Sequence, residues 1–194
     1  ELVQPLTRVR KAHDRMDALL IGLREWLQLR TSSFPMESVS ISTVVEEAID
    51  SLSRLLMERH VELSVPPSWP NVKANAPLIR SVFENLISNA VKFSPEGNPK
   101  VTLTWKDKED GWIQFSVSDN GIGIDPAYHE QIFGMFKRLE SRQKYQGTGA
   151  GLAICHKILQ RHGGNISVQS NRGEGATFQF ELRRGESEVQ EDSP

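Results

Sequence analysis

Cysteine is nearly absent from this chain: Cys155 is the single one in 194 residues. An internal disulfide is thereby excluded, and the composition fits a reducing, cytoplasmic compartment. Long apolar runs are missing as well. The longest, Ala18 to Leu23 with Gly22 inside it, falls far short of the ~20 residues that span a bilayer. No signal peptide is recognisable, so any membrane attachment is expected only through segments outside this chain. Charge of one sign is not in excess: 23 Lys and Arg against 25 Asp and Glu leave a formal net charge of -2. Neither nucleic acid nor an anionic membrane surface is the expected partner of such a balance. The five histidines and the lone cysteine show no zinc-ligand spacing, and internal repeats are lacking. What is there, 38% hydrophobic and 25% charged residues, makes an ordinary globular chain with room for one full domain and a smaller appendage.

From Val9 onward the periodicity is helical. Met16, Leu20, Leu23 and Leu27 recur at 4-3-4 spacing, the apolar seam of a coiled coil or bundle, and Leu19 and Trp26 widen it. One helix cannot bury such a stripe, so a partner is implied: another helix, a second copy, or the domain that follows. Thr31 to Pro35 breaks the pattern and marks the expected boundary between residues 1–33 and 34–184. Val39 to Ile41 predicts a short edge strand. Ser42 is the expected cap of a helix burying Val44, Val45, Ala48, Ile49, Leu52, Leu55 and Leu56. His60 to Val65 and Val72 to Ala74 predict strands, with Asn75 capping the next helix and Pro77 in its first turn.

That next helix, over about residues 76–92, carries two asparagines beside an apolar face. At ~100° per residue, Asn85, Asn89 and Lys92 fall within roughly 60° of one another. Asparagine is a poor interior helix residue, so the pair either faces solvent or serves a site. Amide oxygens suit a hard cation such as Mg²⁺, and Lys92 would neutralise phosphate. Lys100 to Trp105 and Gly111 to Ser118 predict an antiparallel pair, which runs into Asp119-Asn-Gly-Ile-Gly-Ile-Asp125. A carboxylate at a strand end can accept from the amino group of a flat ring, and Gly121 and Gly123 let backbone lie close to a ligand. The same letters also build ordinary turns. Pro126 to Phe133 predicts a short helix, with Phe133 and Phe136 framing Gly134-Met135; Lys137 to Gln146 is polar and expected to be mobile. Gly147, Thr148, Gly149, Ala150, Gly151 and Leu152 then open a helix bearing Cys155, Ile158 and Leu159. Alternate glycines at a helix start leave N–H groups aimed at an anion, a nucleotide triphosphate being the obvious one. Asn165 to Gln169 and Ala176 to Leu182 predict the last strands, and the acidic tail 185–194 is expected to be disordered.

Three motifs thus occur in a fixed order: Asn85 with Asn89, Asp119 with Gly121 and Gly123, and Gly147 with Gly149 and Gly151. Together they resemble the catalytic domain of sensor histidine kinases, within the superfamily that includes gyrase, Hsp90 and MutL. NLISNAVKFSPEG, IFGMFKRL and GLAICHKI look most like the bacteriophytochrome-type kinases. The resemblance implies an α+β fold, a two-layer α/β sandwich whose mixed sheet of about five strands carries three helices on one face. It implies ATP and Mg²⁺ as cofactors and transfer of the γ-phosphoryl to a histidine on a dimeric helical hairpin, for relay to a response regulator. Asp119 would then bond the adenine amino group, with Gly123, Ile124 and Phe136 beside the nucleotide. Asn89 would hold the metal, Asn85 would support it, and Lys92 would reach phosphate or ribose. Residues 147–152 would wrap the phosphates as a lid, and Thr177 would brace the adenine-side carboxylate or its water. Glu84, ~100° round the helix from Asn85, would help polarise the acceptor imidazole.

By the same resemblance, hydrolytic relatives carry a water-activating Glu where this chain has Asn85, which favours transfer over hydrolysis. The N-terminal helix would belong to the dimerisation hairpin and join a homodimer. Glu1-Leu-Val-Gln-Pro-Leu6 matches the acceptor motif from one residue after its histidine. About thirty residues of hairpin are expected to be missing, given helices of several turns. His13-Asp14 lacks the proline of that motif and is not the expected acceptor. His60, His129, His156 and His162 are expected at the surface or at helix ends, Cys155 in the core, and Trp105 and Trp112 in packing. The alternative reading is a catalytically degenerate ATP-binding interaction module. A gyrase-like ATPase is disfavoured by Asn85.

Overall fold

A computed structural model describes residues 13, 16–17, 19–24, 26–29, 33–94, 97–137 and 148–186. The core of the fold is a five-stranded sheet with the order β2-β4-β5-β7-β6. Its strands are β2 (Glu62–Ser64), β4 (Lys100–Asp107), β5 (Trp112–Asp119), β6 (Ile166–Ser170) and β7 (Ala176–Arg183). β2 pairs with β4 in parallel and every other pair is antiparallel, so the sheet is mixed, as the resemblance implied. β1 (Glu37–Ser40) and β3 (Asn71–Ala74) form a separate antiparallel ribbon.

Period-2 patterning explains which face is covered. In β5, Ile113, Phe115 and Val117 are buried, as are Ala176, Phe178, Phe180 and Leu182 in β7. Helices α2 (Ile41–Ser51), α4 (Ala76–Phe93) and α5 (Gly151–Arg161) lie against this face. Phe83 of α4 packs edge-on to Phe180 at 5.4 Å and to Phe115 at 6.2 Å, and those two stack at 5.3 Å. Three fully buried rings, each worth ~1.5–3 kcal/mol of burial, fasten α4 to the two strands beside the site.

Local chemistry sets the helix ends. Asn75 Oδ1 accepts from Leu78 N at 3.3 Å and caps α4, with a proline in its first turn. Ser42 is not a cap: α2 begins at Ile41 directly after β1, and Ser42 Oγ donates to Glu46 Oε1 at 3.0 Å. The helix predicted through Leu56 is broken at Leu52, where α3 (Ser53–Glu58) begins. Pro126 to Phe133 is not one helix but two 3₁₀ turns, Pro126–Tyr128 and Gln131–Phe133.

The described residues between 13 and 29 are helical and are called α1. Met16, Leu20, Leu23 and Leu27, the predicted seam, are exposed at 59, 63, 38 and 47%. The inward face is instead Leu19, Gly22, Trp26 and Leu29, with Gly22 and Leu29 buried. A Cβ on Gly22 would come within 2.9 Å of Ala150 Cβ, so α1 rests on the start of α5. Of the partners left open for this helix, the following domain takes one face. Among the described residues no helix is long and apolar enough to cross a membrane.

Candidate active site

β5 is the central strand, and it ends at Asp119. Asp119 Oδ1 accepts from Gly121 N at 2.8 Å and from Ala176 N at 3.2 Å. Both bonds fall on one oxygen; Oδ2 has no hydrogen-bond partner among the described residues. Burial pushes the carboxyl above the usual carboxylate range, and those two N–H groups partly oppose it. Close packing explains the glycines. A Cβ at Gly121 would lie 2.6 Å from Asp119 Oδ1 and 2.7 Å from the Phe93 carbonyl. At Gly123, with φ +67, it would strike the Asn171 carbonyl. Ile122 N donates to Phe93 O at 3.0 Å, which ties this loop to the end of α4.

The carboxylate opens into a cavity of about 910 Å³, of the size that holds a cofactor. Asn85, Asn89, Lys92, Asp119, Gly123, Ile124, Thr148, Gly149, Gly151 and Leu152 all line it. Asn85 Nδ2 donates to Ser81 O at 2.9 Å, which turns its Oδ1 toward Gly151, where a Cβ would overlap it. Helix α5 therefore begins as close to α4 as a glycine permits. The Asn89 carboxamide makes no hydrogen bond among the described residues. Lys92 Nζ lies 4.6 Å from the centre of the Phe93 ring. Among the described residues no three His, Cys, Asp or Glu side chains group as a metal site, so a metal here would draw its ligands from an amide, water and a bound anion, a set that suits Mg²⁺.

Other anticipated residues lie elsewhere. Gly121 and Ala150 back the cavity rather than line it. Thr177 pairs with Ser118 across the ladder, Oγ to Oγ at 2.9 Å. Strand alternation sends both to the face opposite Ala176 and Phe178, so the brace on the carboxylate is the Ala176 N–H instead. Glu84 faces α2, where Ser51 Oγ donates to it at 2.8 Å and Arg80 lies 3.5 Å away. Phe136, at φ +60 and 42% exposed, donates its N–H to the Gly149 carbonyl and lies outside the lining. Gly147 and the polar segment before it, 138–147, lie outside the described residues, as does the tail from 187.

The sequence reading missed Arg59, Tyr128, Lys137 and Arg172, which line the cavity. They stand in α3's cap, a 3₁₀ turn and loops, where no periodicity announces a facing direction. It also placed His162 at a helix end without foreseeing its burial. His162 is 7% exposed and stacks on Phe34 at 5.6 Å. Its Nε2 accepts from Asn75 N at 3.0 Å, so Nδ1 carries the proton and donates to Ile158 O at 2.8 Å.

Residues 74–186 match the family described as histidine kinase-, DNA gyrase B- and HSP90-like ATPases. The chain is 39% identical over 170 residues to phytochrome-like protein Cph1 of Synechocystis sp.; the match covers 88% of this chain and 22% of that protein. Full-length ShkA in complex with AMPPNP is similar with a TM-score of 0.75 at 25% identity, over 95% of this chain and 39% of that one. Histidine kinase ThkA, solved in complex with the response regulator TrrA, shares the fold with a TM-score of 0.73 at 22% identity, over 94% of this chain and 51% of that one.

Proposed function

This chain belongs to the histidine kinase-, DNA gyrase B- and HSP90-like ATPase family, among its histidine kinase catalytic domains, and we propose that it binds Mg-ATP and passes the γ-phosphoryl to a histidine. The observation that carries this reading is the convergence on one cavity of the Asp119 carboxylate, the Asn89 carboxamide and the Gly151 helix start. Asp119 Oδ2 is the acceptor for the adenine amino group, and Ile124 covers the ring. The first N–H groups of α5 and the ammonium of Lys92 meet the phosphates, which a helix start and a cation both favour. Asn89 would hold Mg²⁺ through its amide oxygen. That ion supplies charge neutralisation on the transferring group.

The protein's part is positioning and exclusion of water. The Asn85 amide cannot take a proton from water at neutral pH, and its Nδ2 is engaged by Ser81; transfer is favoured over hydrolysis. Glu84 lies outside the cavity on the α2 side of α4, where it would meet an acceptor imidazole only from outside. The exposed row Met16, Leu20, Leu23 and Leu27 supports a homodimer through α1, and the phosphoryl passes onward to a response regulator. We assign residues 1–33 to the helical dimerisation segment, 34–184 to the catalytic domain and 185–194 to a tail.

Incubation with γ-labelled ATP and a separate acceptor hairpin tests the reading. Acid-labile label on the hairpin is expected. Binding without transfer would leave a nucleotide-dependent interaction module, and free phosphate without labelled hairpin would mark an ATPase.

A further inference from the structure

Helices α2 and α4 run side by side in a constant offset. Arg80 Nη1 donates to Glu47 Oε2 at 3.3 Å and Ser51 Oγ to Glu84 Oε1 at 2.8 Å, both across 33 positions. Beyond that stretch come Leu55 and Arg59 on the α3 side and Ser88 and Lys92 on α4. All four line the same cavity. The helix breaks at Leu52, and α3 ends at the wall of the cavity that α4 also lines.

Arg59 stands at the C-cap of α3 and lines the cavity with Lys92. It is half-buried, and among the described residues its guanidinium has no carboxylate partner. The adjacent acid, Glu58, is taken by Arg54 at 2.7 Å. A guanidinium and an ammonium that line one cavity are unfavourable together by themselves, because like charges repel. An anion between them reverses the sign, and a planar guanidinium matches phosphate oxygens two at a time.

We propose that Arg59 is a second phosphate-binding cation of the nucleotide site, gripping the polyphosphate from α3 while Lys92 grips it from α4. This deepens the nucleotide reading and rests on it. The phosphate chain is then held on the side away from the glycine-rich loop, by a residue at a helix end rather than on a lid.

The test compares binding of adenosine, ADP and AMPPNP by calorimetry to the full chain, to Arg59→Gln and to Arg59→Lys. Arg59→Gln is expected to raise the Kd of ADP and AMPPNP about tenfold, the size of one charge-assisted contact. It should leave adenosine affinity unchanged, and Arg59→Lys should recover part of the loss. Equal ADP affinity for wild type and Arg59→Gln would overturn the proposal. Parallel losses for adenosine and ADP would overturn it too, because they mark a change of pocket shape rather than a lost phosphate contact. A wild-type chain that binds none of the three would overturn the nucleotide reading and this proposal with it.

Discussion

Asp119 combines two demands that conflict. A ligand's amino group needs an ionised acceptor, yet burial raises the carboxyl's pKa, with Gly121 and Ala176 only partly offsetting it. An acid raised in the folded state is most compatible with folding when protonated, so its contribution falls as pH rises from the unfolded value through the raised one. Asp119→Asn keeps an acceptor oxygen for the two N–H groups and removes the charge. The unliganded variant is expected to melt about 2 °C higher, while preference for ATP over GTP in a competition assay collapses. His162 has the opposite sign. Desolvation lowers its pKa, the Arg161 charge adds to this, and the bond to Ile158 opposes it. Its stabilising part is complete above the ordinary histidine value of ~6.5 and is lost as pH falls toward the lower folded value. Protonation would set an N–H of Nε2 against the N–H of Asn75. Thermal melts between about pH 7 and 5 should show a shallower decline for His162→Gln than for wild type, from a lower starting point. Cys155, wholly buried with its thiol pushed up to about 12, plays no chemical part in this scheme.

Among elements, the start of α5 is the most finely placed. Its first residue, Gly151, abuts Asn85 Oδ1 with no space for a methyl group. Gly151→Ala improves helix propensity by up to ~1 kcal/mol, which offsets strain in the fold. The same methyl pushes the helix start off α4 and moves the phosphate-facing N–H groups. Calorimetry is therefore expected to show weakened ADP binding with a nearly unchanged melting temperature; retained affinity would deny the helix start its role. Much of this element was legible beforehand, because glycines before an amphipathic run signal an open helix N-terminus. The direction of Thr177 was legible too: Ala176, Phe178 and Phe180 fix the buried face, and alternation leaves Thr177 on the other. Residues in caps and loops, such as Arg59 and Arg172, have no such pattern to betray them.

At the scale of the whole molecule, α1 couples to the catalytic layer through a small residue. Gly22 sits over Ala150, next to the residue that opens α5. Gly22→Leu cannot be accommodated there and should lift α1 from the domain. Limited proteolysis at the Ser33–Met36 link is then expected to quicken while the domain itself stays intact; an unchanged cleavage rate would refute the contact. The chain spans about a fifth of the length of Cph1, the match covering 22% of it.

Periodicity, caps and motif order by themselves determined the kinds of element, most of their limits and the family. These are local properties: spacing along a helix or strand decides which residues share a face, and side chains such as Asn75 satisfy backbone groups three residues away. Only the tertiary structure decided what each face meets. It turned the inner side of α1 from the Met16 to Leu27 row to Gly22 and Leu29, sent Glu84 to α2, and brought Arg59 to the cavity of Lys92. A periodic pattern records which residues share a face, but contact between segments depends on where a fold sets them down, and no local spacing encodes that.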